Sequence, residues 1–165
     1  PDRAMTTLEV LRPAYEFNRQ RTLGLLDKIA GLPDPQAALA FRPGPGRAHI
    51  GWQLLHIAVT EDIFATERLA PEKSGRFADL WPRFRGGSTP DDDVPGVELI
   101  RRALDESRAE LLATVARFSE AQLDEVPASL AQRGWRIRDA LNVIAWHEPH
   151  HQGQAHLTLN VFLAK

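Results

Sequence analysis

Apolar positions recur at helical spacing in four separate stretches of the chain, and nowhere do they alternate as they would along a half-buried strand. In the first stretch Leu8, Leu11, Tyr15, Thr22, Leu25, Leu26 and Ile29 keep that spacing. They follow Thr6-Thr7-Leu8-Glu9, a capping box with Thr6 as N-cap. Pro13 is expected to bend or fray the second turn, and Gly31-Leu32-Pro33 ends the helix. A loop punctuated by Pro43-Gly44-Pro45-Gly46 covers 33–47. The second helix is expected from His49 to Leu69, with Pro71 closing it. Ile50, Trp52, Leu54, Leu55, Ile57, Ala58, Val59, Ile63 and Phe64 make it apolar around much of its circumference, hence central in the core. Glu61, Asp62, Glu67 and Arg68 read as its wetter part.

Residues 70–94 hold Pro71, Pro82, Gly86-Gly87 and Pro90 and no sustained period. A connection this long is usually functional or wraps a neighbour. Its Phe77, Leu80, Trp81 and Phe84 are expected to pack onto the helices as a flap. Asp91-Asp92-Asp93 and Pro95 predict the start of a third helix, by capping and by charge at the positive end of the dipole. Val97, Ile100, Leu104, Leu111, Val115 and Phe118 form its apolar stripe, and Arg101, Arg102, Asp105, Glu106, Arg108 and Glu110 read as solvated faces. A short turn of helix is expected over 119–123, before Pro127. A fourth helix runs from Trp135 toward Phe162, with Ala140, Val143, Ile144, His147, His151, Gln154, Thr158 and Phe162 facing inward. The expected architecture is one all-α domain over 1–165, a four-helix bundle with long, uneven connections.

Composition narrows the function. With 165 residues, 43% hydrophobic and 25% charged, the chain can bury one substantial core. A net charge of −2 leaves no basic footprint, so no nucleic acid is expected as partner. No run approaches the roughly 18 apolar residues that span a bilayer, so no membrane partner is expected. Pro1-Asp2-Arg3-Ala4-Met5 has no leader pattern, and the default location is cytoplasmic. The absence of cysteine excludes disulfides, thiolate metal ligands and a protein-thiol nucleophile. Any metal ligand must be imidazole or carboxylate.

Three of the six histidines lie in Trp146-His147-Glu148-Pro149-His150-His151-Gln152-Gly153-Gln154. On a helix His147 and His151 are one turn apart and about 40° apart around the axis, able to chelate one divalent ion. Burying two imidazoles without a shared partner is costly, which favours ligation over packing. A further ligand is required, and His56 is the only histidine well inside another buried helix. Two readings stay open for it: a core ring bonded to a backbone carbonyl, or a third ligand facing the pair. Three neutral imidazoles would leave an open coordination position, as in catalytic zinc sites. His49 is expected at the surface, His150 in a supporting position or at the helix interface, and His156 about 180° from His147. Glu148 is a candidate general base about 100° round the helix from His147, or else a solvated or helix-pairing glutamate.

His147-Glu148-Pro149-His150-His151 matches the short H-E-x-x-H of zinc proteases. The longer pattern fails, because Gln154 and Leu157 stand where a glycine and a histidine are needed and no strand borders a cleft. Pro149 removes the backbone bond to the Ala145 carbonyl and is expected to bend the helix modestly.

Ile50-Gly51-Trp52-Gln53-Leu54-Leu55-His56-Ile57-Ala58, the histidine cluster with its H-H-x-G-Q ending, and Tyr15 with Asn18 together resemble the DinB/YfiT-like superfamily over nearly the whole chain. The resemblance implies a four-helix bundle with long crossovers, frequently a homodimer, and a metal triad on His56, His147 and His151. It implies that Gly153 permits close helix approach and that Gln154 supports the site. Pro149 departs from the commoner small residue. The activity implied is transfer of a low-molecular-weight thiol, of bacillithiol or mycothiol type, to a small electrophilic substrate, or a related hydrolysis or isomerisation. The ion would be zinc or nickel first, with iron or copper also suited to imidazole. Two other classes compete: a metal-binding dimer without turnover, structural or sensing, and a helical adaptor whose histidines merely pack.

Overall fold

Every regular element among residues 4–165, which the computed structural model describes, is helical. Pro1, Asp2 and Arg3, within the segment read as lacking a leader, lie outside the described residues. The class is all-α, as expected, but the helices outnumber four. Four long ones are α1 (Thr7–Ala30), α3 (Ile50–Ile63), α5 (Val97–Val115) and α6 (Ile137–Leu163), while α2 (Pro35–Ala40) and α4 (Trp81–Phe84) are short. None of the helices among the described residues is long and apolar enough to cross a membrane. The apolar α3 packs against both α5 and α6, and α1 lies against α6.

The Thr6–Glu9 capping box forms as expected, and Pro13 leaves α1 unbroken. The 33–47 loop contains the unexpected α2: Asp34 caps it by accepting from the Ala37 N–H, and Pro35 occupies its first turn, where a missing N–H costs nothing. The second long helix is shorter than expected, because its last part winds into a π-helical turn, Phe64–Arg68. Asp91, Asp92 and Asp93 do not cap α5. Arg83 and Arg42 claim those carboxylates instead, and the helix starts after Gly96. The expected turn near 119–123 appears as a 3₁₀ turn, Gln122–Asp124, followed by a second, Ala128–Arg133, that ends on Gly134 in the left-handed region.

The 70–94 connection is tied down by Asp62, which is fully buried rather than part of a wet face. Its carboxylate accepts from the Arg76 and Phe77 N–H groups, both at 3.0 Å, and from Trp81 Nε1 at 2.9 Å. Gly75 is required beside it, since a Cβ there would lie 2.7 Å from Asp62 Oδ2 and closer still to the Trp81 ring. Phe77 and Phe84 enter the core, so the aromatic flap is packed as predicted.

Each long helix also contributes one charge to a buried quartet. Arg19 of α1 bonds Glu61 of α3 at 2.9 Å and Glu148 of α6 at 2.7 Å. Arg108 of α5 bonds Glu61 at 2.6 Å and Glu148 at 2.5 Å. The remaining guanidinium donors reach the Leu104 carbonyl and, at 2.7 Å, the Tyr15 carbonyl. Burial alone would raise the Glu61 pKa, but the two arginines outweigh it and hold the carboxyl below its ordinary value. Glu61 and Arg108 are therefore interior residues, not the solvated positions their neighbours in sequence suggest.

Pro149 is accommodated without a break in α6. The Ala145 carbonyl, which loses its intrahelical donor to Pro149, accepts from Asn18 Nδ2 at 3.1 Å. One turn earlier the Leu141 carbonyl accepts from the Tyr15 hydroxyl at 2.7 Å. Helix α1 thus repairs the gap that the proline makes.

Two measurements check these contacts. Arg108→Met, which strands two buried carboxylates, is expected to lower the unfolding free energy by roughly 3–5 kcal/mol in chemical denaturation. Asn18→Ala is expected to cost about 1 kcal/mol, and most of that loss should vanish in a Pro149→Ala background, where the backbone donor is restored.

Candidate metal centre

Helix α3 is capped by His49, whose ring lies inside the protein rather than at the surface. Its Nδ1 accepts from the Trp52 N–H at 2.9 Å and its Nε2 lies 3.1 Å from the Asp91 carbonyl, so capping, not exposure, explains its place. Two turns on, His56 is buried and faces α6. Its ring stacks on Trp52 with centroids 4.5 Å apart. Trp52 in turn donates to the Arg83 carbonyl at 3.0 Å, joining the flap to the back of the histidine.

His56 is bonded to a backbone carbonyl and at the same time faces the His147–His151 pair. Nδ1 lies 2.6 Å from the Phe84 carbonyl, which can only accept, so Nδ1 carries the proton and Nε2 is left with a lone pair. That Nε2 lies 3.1 Å from Nε2 of His147. His151 is oriented the same way: its Nδ1 meets Gln53 Oε1 at 2.6 Å. One nitrogen from each of His56, His147 and His151 lies within 4.8 Å of the others. A tetrahedral ion with bonds of 2.0–2.1 Å needs edges of about 3.3 Å, close to the 3.1 Å His56–His147 edge.

Electrostatics agree with that donor set. Burial, then the neighbouring charges of His56 and His150, pull the His147 pKa down to about 3. Burial, then His147, His56 and His150, bring His151 to about 3 as well. Burial lowers His56 too, against the opposing Phe84 hydrogen bond. All three rings are neutral at physiological pH, with lone pairs free to bind a cation.

Glu148 does not join the histidines. It is 1% exposed and committed to Arg19 and Arg108, on the core side of α6. The helix-pairing alternative fits it, and the solvated one does not. Gln154 is exposed and reaches the site through Gln53, accepting from Gln53 Nε2 at 2.9 Å. Its own Nε2 lies 2.8 Å from Nε2 of exposed His150, which stacks on Trp146. His156 lies apart, beside Gln20, Arg21 and Lys28. Gly153 faces open space and serves no helix contact, because a Cβ there would meet nothing within 4 Å.

The family model of the DinB superfamily matches residues 14–155. The chain belongs to the DinB superfamily. No curated protein and no solved structure matches it. Within this DinB chain the match includes Asn18, His56, His147 and His151, so the helix-repair contact and the histidine cluster fall inside the family region.

Two polar residues beside the cluster escaped the sequence reading. Gln53 and Thr60 stand three before and four after His56, on the same helical face, and Thr60 Oγ1 lies 3.5 Å from His147 Nε2. Their polarity within an otherwise apolar helix was the available signal. Ligand-orienting contacts of this kind typically govern metal affinity by 10–100-fold. Gln53→Ala is therefore expected to weaken zinc binding by roughly 10–100-fold in competition with a chromophoric chelator, with Gln154→Ala weaker in effect.

Proposed function

We propose that the protein is a metal-dependent enzyme that acts on a small molecule through a three-histidine centre with an open position, on a four-helix-bundle plan. What supports this reading is the pair of second-nitrogen contacts, Phe84 carbonyl to His56 and Gln53 amide to His151, which aim Nε2 lone pairs at the space that His147 also faces. An imidazole-only donor set suits zinc or nickel. A divalent ion held there supplies positive charge that acidifies a coordinated water or thiol.

The residues of the chain supply the rest. His56, His147 and His151 stay neutral through burial and so donate lone pairs without competing protons. Thr60 places a hydroxyl beside His147, where it can hydrogen-bond a reacting group. The chain carries no cysteine, so in a thiol transfer the nucleophile comes from a low-molecular-weight thiol of bacillithiol or mycothiol type. Hydrolysis by an activated water uses the same centre. Glu148 is not assigned the base, since protonating it would leave two buried guanidinium groups short of a counter-charge.

A non-catalytic metal-binding homodimer is the second reading, and one observation favours association. Trp146, Leu157 and Val161 lie exposed along one side of α6, 59%, 66% and 41% accessible. The cleft beside His56 and His147 favours the enzyme, because a structural site is closed on all sides.

Elemental analysis of protein dialysed against zinc is expected to give about one equivalent per chain, falling at least about tenfold in His147→Ala and in His56→Ala. Metal retained at full occupancy by both variants would sink the proposal. With bacillithiol or mycothiol and a small electrophile, thiol consumption should depend on the ion and stop with a chelator.

A further inference from the structure

A cleft of about 260 Å³ opens beside the histidines, and its lining includes His56 and His147. Three arginines also line it, each from a different part of the chain. Arg68 comes from the π-helical turn, Arg85 from the flap just after Phe84, and Arg133 from the end of the 3₁₀ turn before α6. No aspartate or glutamate lines the cleft among the described residues. The rest of its lining is mostly apolar, including Phe64, Leu130 and Trp135.

This concentration of positive charge is local, because the chain as a whole carries −2. Most arginines elsewhere are tied to carboxylates, as Arg83 is to Asp91 and Arg138 to Asp124. Arg85 and Arg133 have no carboxylate partner among the described residues. Arg133 is held by the face of Trp135, with its guanidinium carbon 4.9 Å from the ring centroid. Arg68 is steadied by Glu67 at 3.0 Å and by the Ser129 carbonyl at 3.3 Å. The guanidinium fork matches planar carboxylate and phosphate oxygens, and apolar walls strengthen its field.

We propose that the substrate of this centre carries an anionic oxyacid group, carboxylate or phosphate, on an apolar body. Arg85 and Arg133 bind the anionic group at the mouth, Phe64 and Leu130 receive the apolar part, and the reacting atom faces Nε2 of His56 and His147. The inference rests on the reading that these histidines hold a metal, and it adds what that metal acts upon.

The test uses the full-length chain, with and without bound cobalt, titrated calorimetrically with benzoate, phenyl phosphate and neutral benzamide. Cobalt content and its visible spectrum are recorded in parallel. At least one anion is expected to bind about tenfold or more tighter than benzamide, the scale of one charge-assisted hydrogen bond, and to perturb the cobalt spectrum. Whichever anion binds more tightly identifies the group as carboxylate or phosphate. In Arg85→Ala/Arg133→Ala the preference should fall about tenfold while benzamide binding and cobalt content hold. Both side chains are exposed, so this variant keeps the core intact. Equal affinity for anions and benzamide, or an arginine-independent preference, would overturn the inference even with cobalt bound. A preference that persists and depends on the arginines without cobalt uptake would instead leave the anion site standing and remove the metal reading.

Discussion

Two arginines and two glutamates, one from each long helix, meet in the interior and cancel one another's charge. Attraction between them is less telling than the penalty for separating them, because any helix that rotates away leaves the others with an uncompensated buried charge. The rotational phase of α6 follows. With Glu148 drawn toward Arg19 and Arg108, its neighbour His147 must point about 100° away, toward α3. One helical turn on, His151 takes the same direction and meets Gln53. The charge knot and the histidine cluster are two faces of one helix, and the first orients the second.

Around the cluster, selectivity for one nitrogen of each ring comes from ordinary acceptors. A carbonyl from the flap holds His56 and a side-chain amide from α3 holds His151. Both engage Nδ1, leaving the far edge of each ring for the shared space. The flap therefore contributes to the centre through its backbone, while its aromatic side chains go to the core. The aromatic rings that line the cleft beside the histidines, Phe64 and Trp135, come from other segments.

Helical class, the capping box at Thr6 and the His147–His151 pair were readable from spacing, because each depends on residues near one another on a single helix. His56 stood out as the only histidine well inside another buried helix and joined the pair through the family resemblance. Positions that depend on partners from elsewhere in the chain were not readable from spacing. Asp91–Asp93 looks like a helix start until Arg83 and Arg42 are seen to occupy it. His49 looks like a surface residue until its ring is seen capping α3. The quartet was partly legible after all. Arg19 falls between Tyr15 and Thr22 on the buried stripe of α1, and Arg108 falls between Leu104 and Leu111 on that of α5. A charge on a core stripe signals a buried partner, but pairing Arg19 with Glu61 and Glu148 required the three-dimensional arrangement.

Asp62 carries a consequence for traffic. Three donors from the flap converge on one buried carboxylate, and Gly75 leaves no slack beside it. The segment is a fixture rather than a hinged door, so on the proposed reading the cleft that His56, His147, Arg85 and Arg133 line would serve small molecules as an entrance that already stands open. Exchange at such an entrance is set by diffusion and by the long-range pull of its charges, not by waiting for a loop to swing.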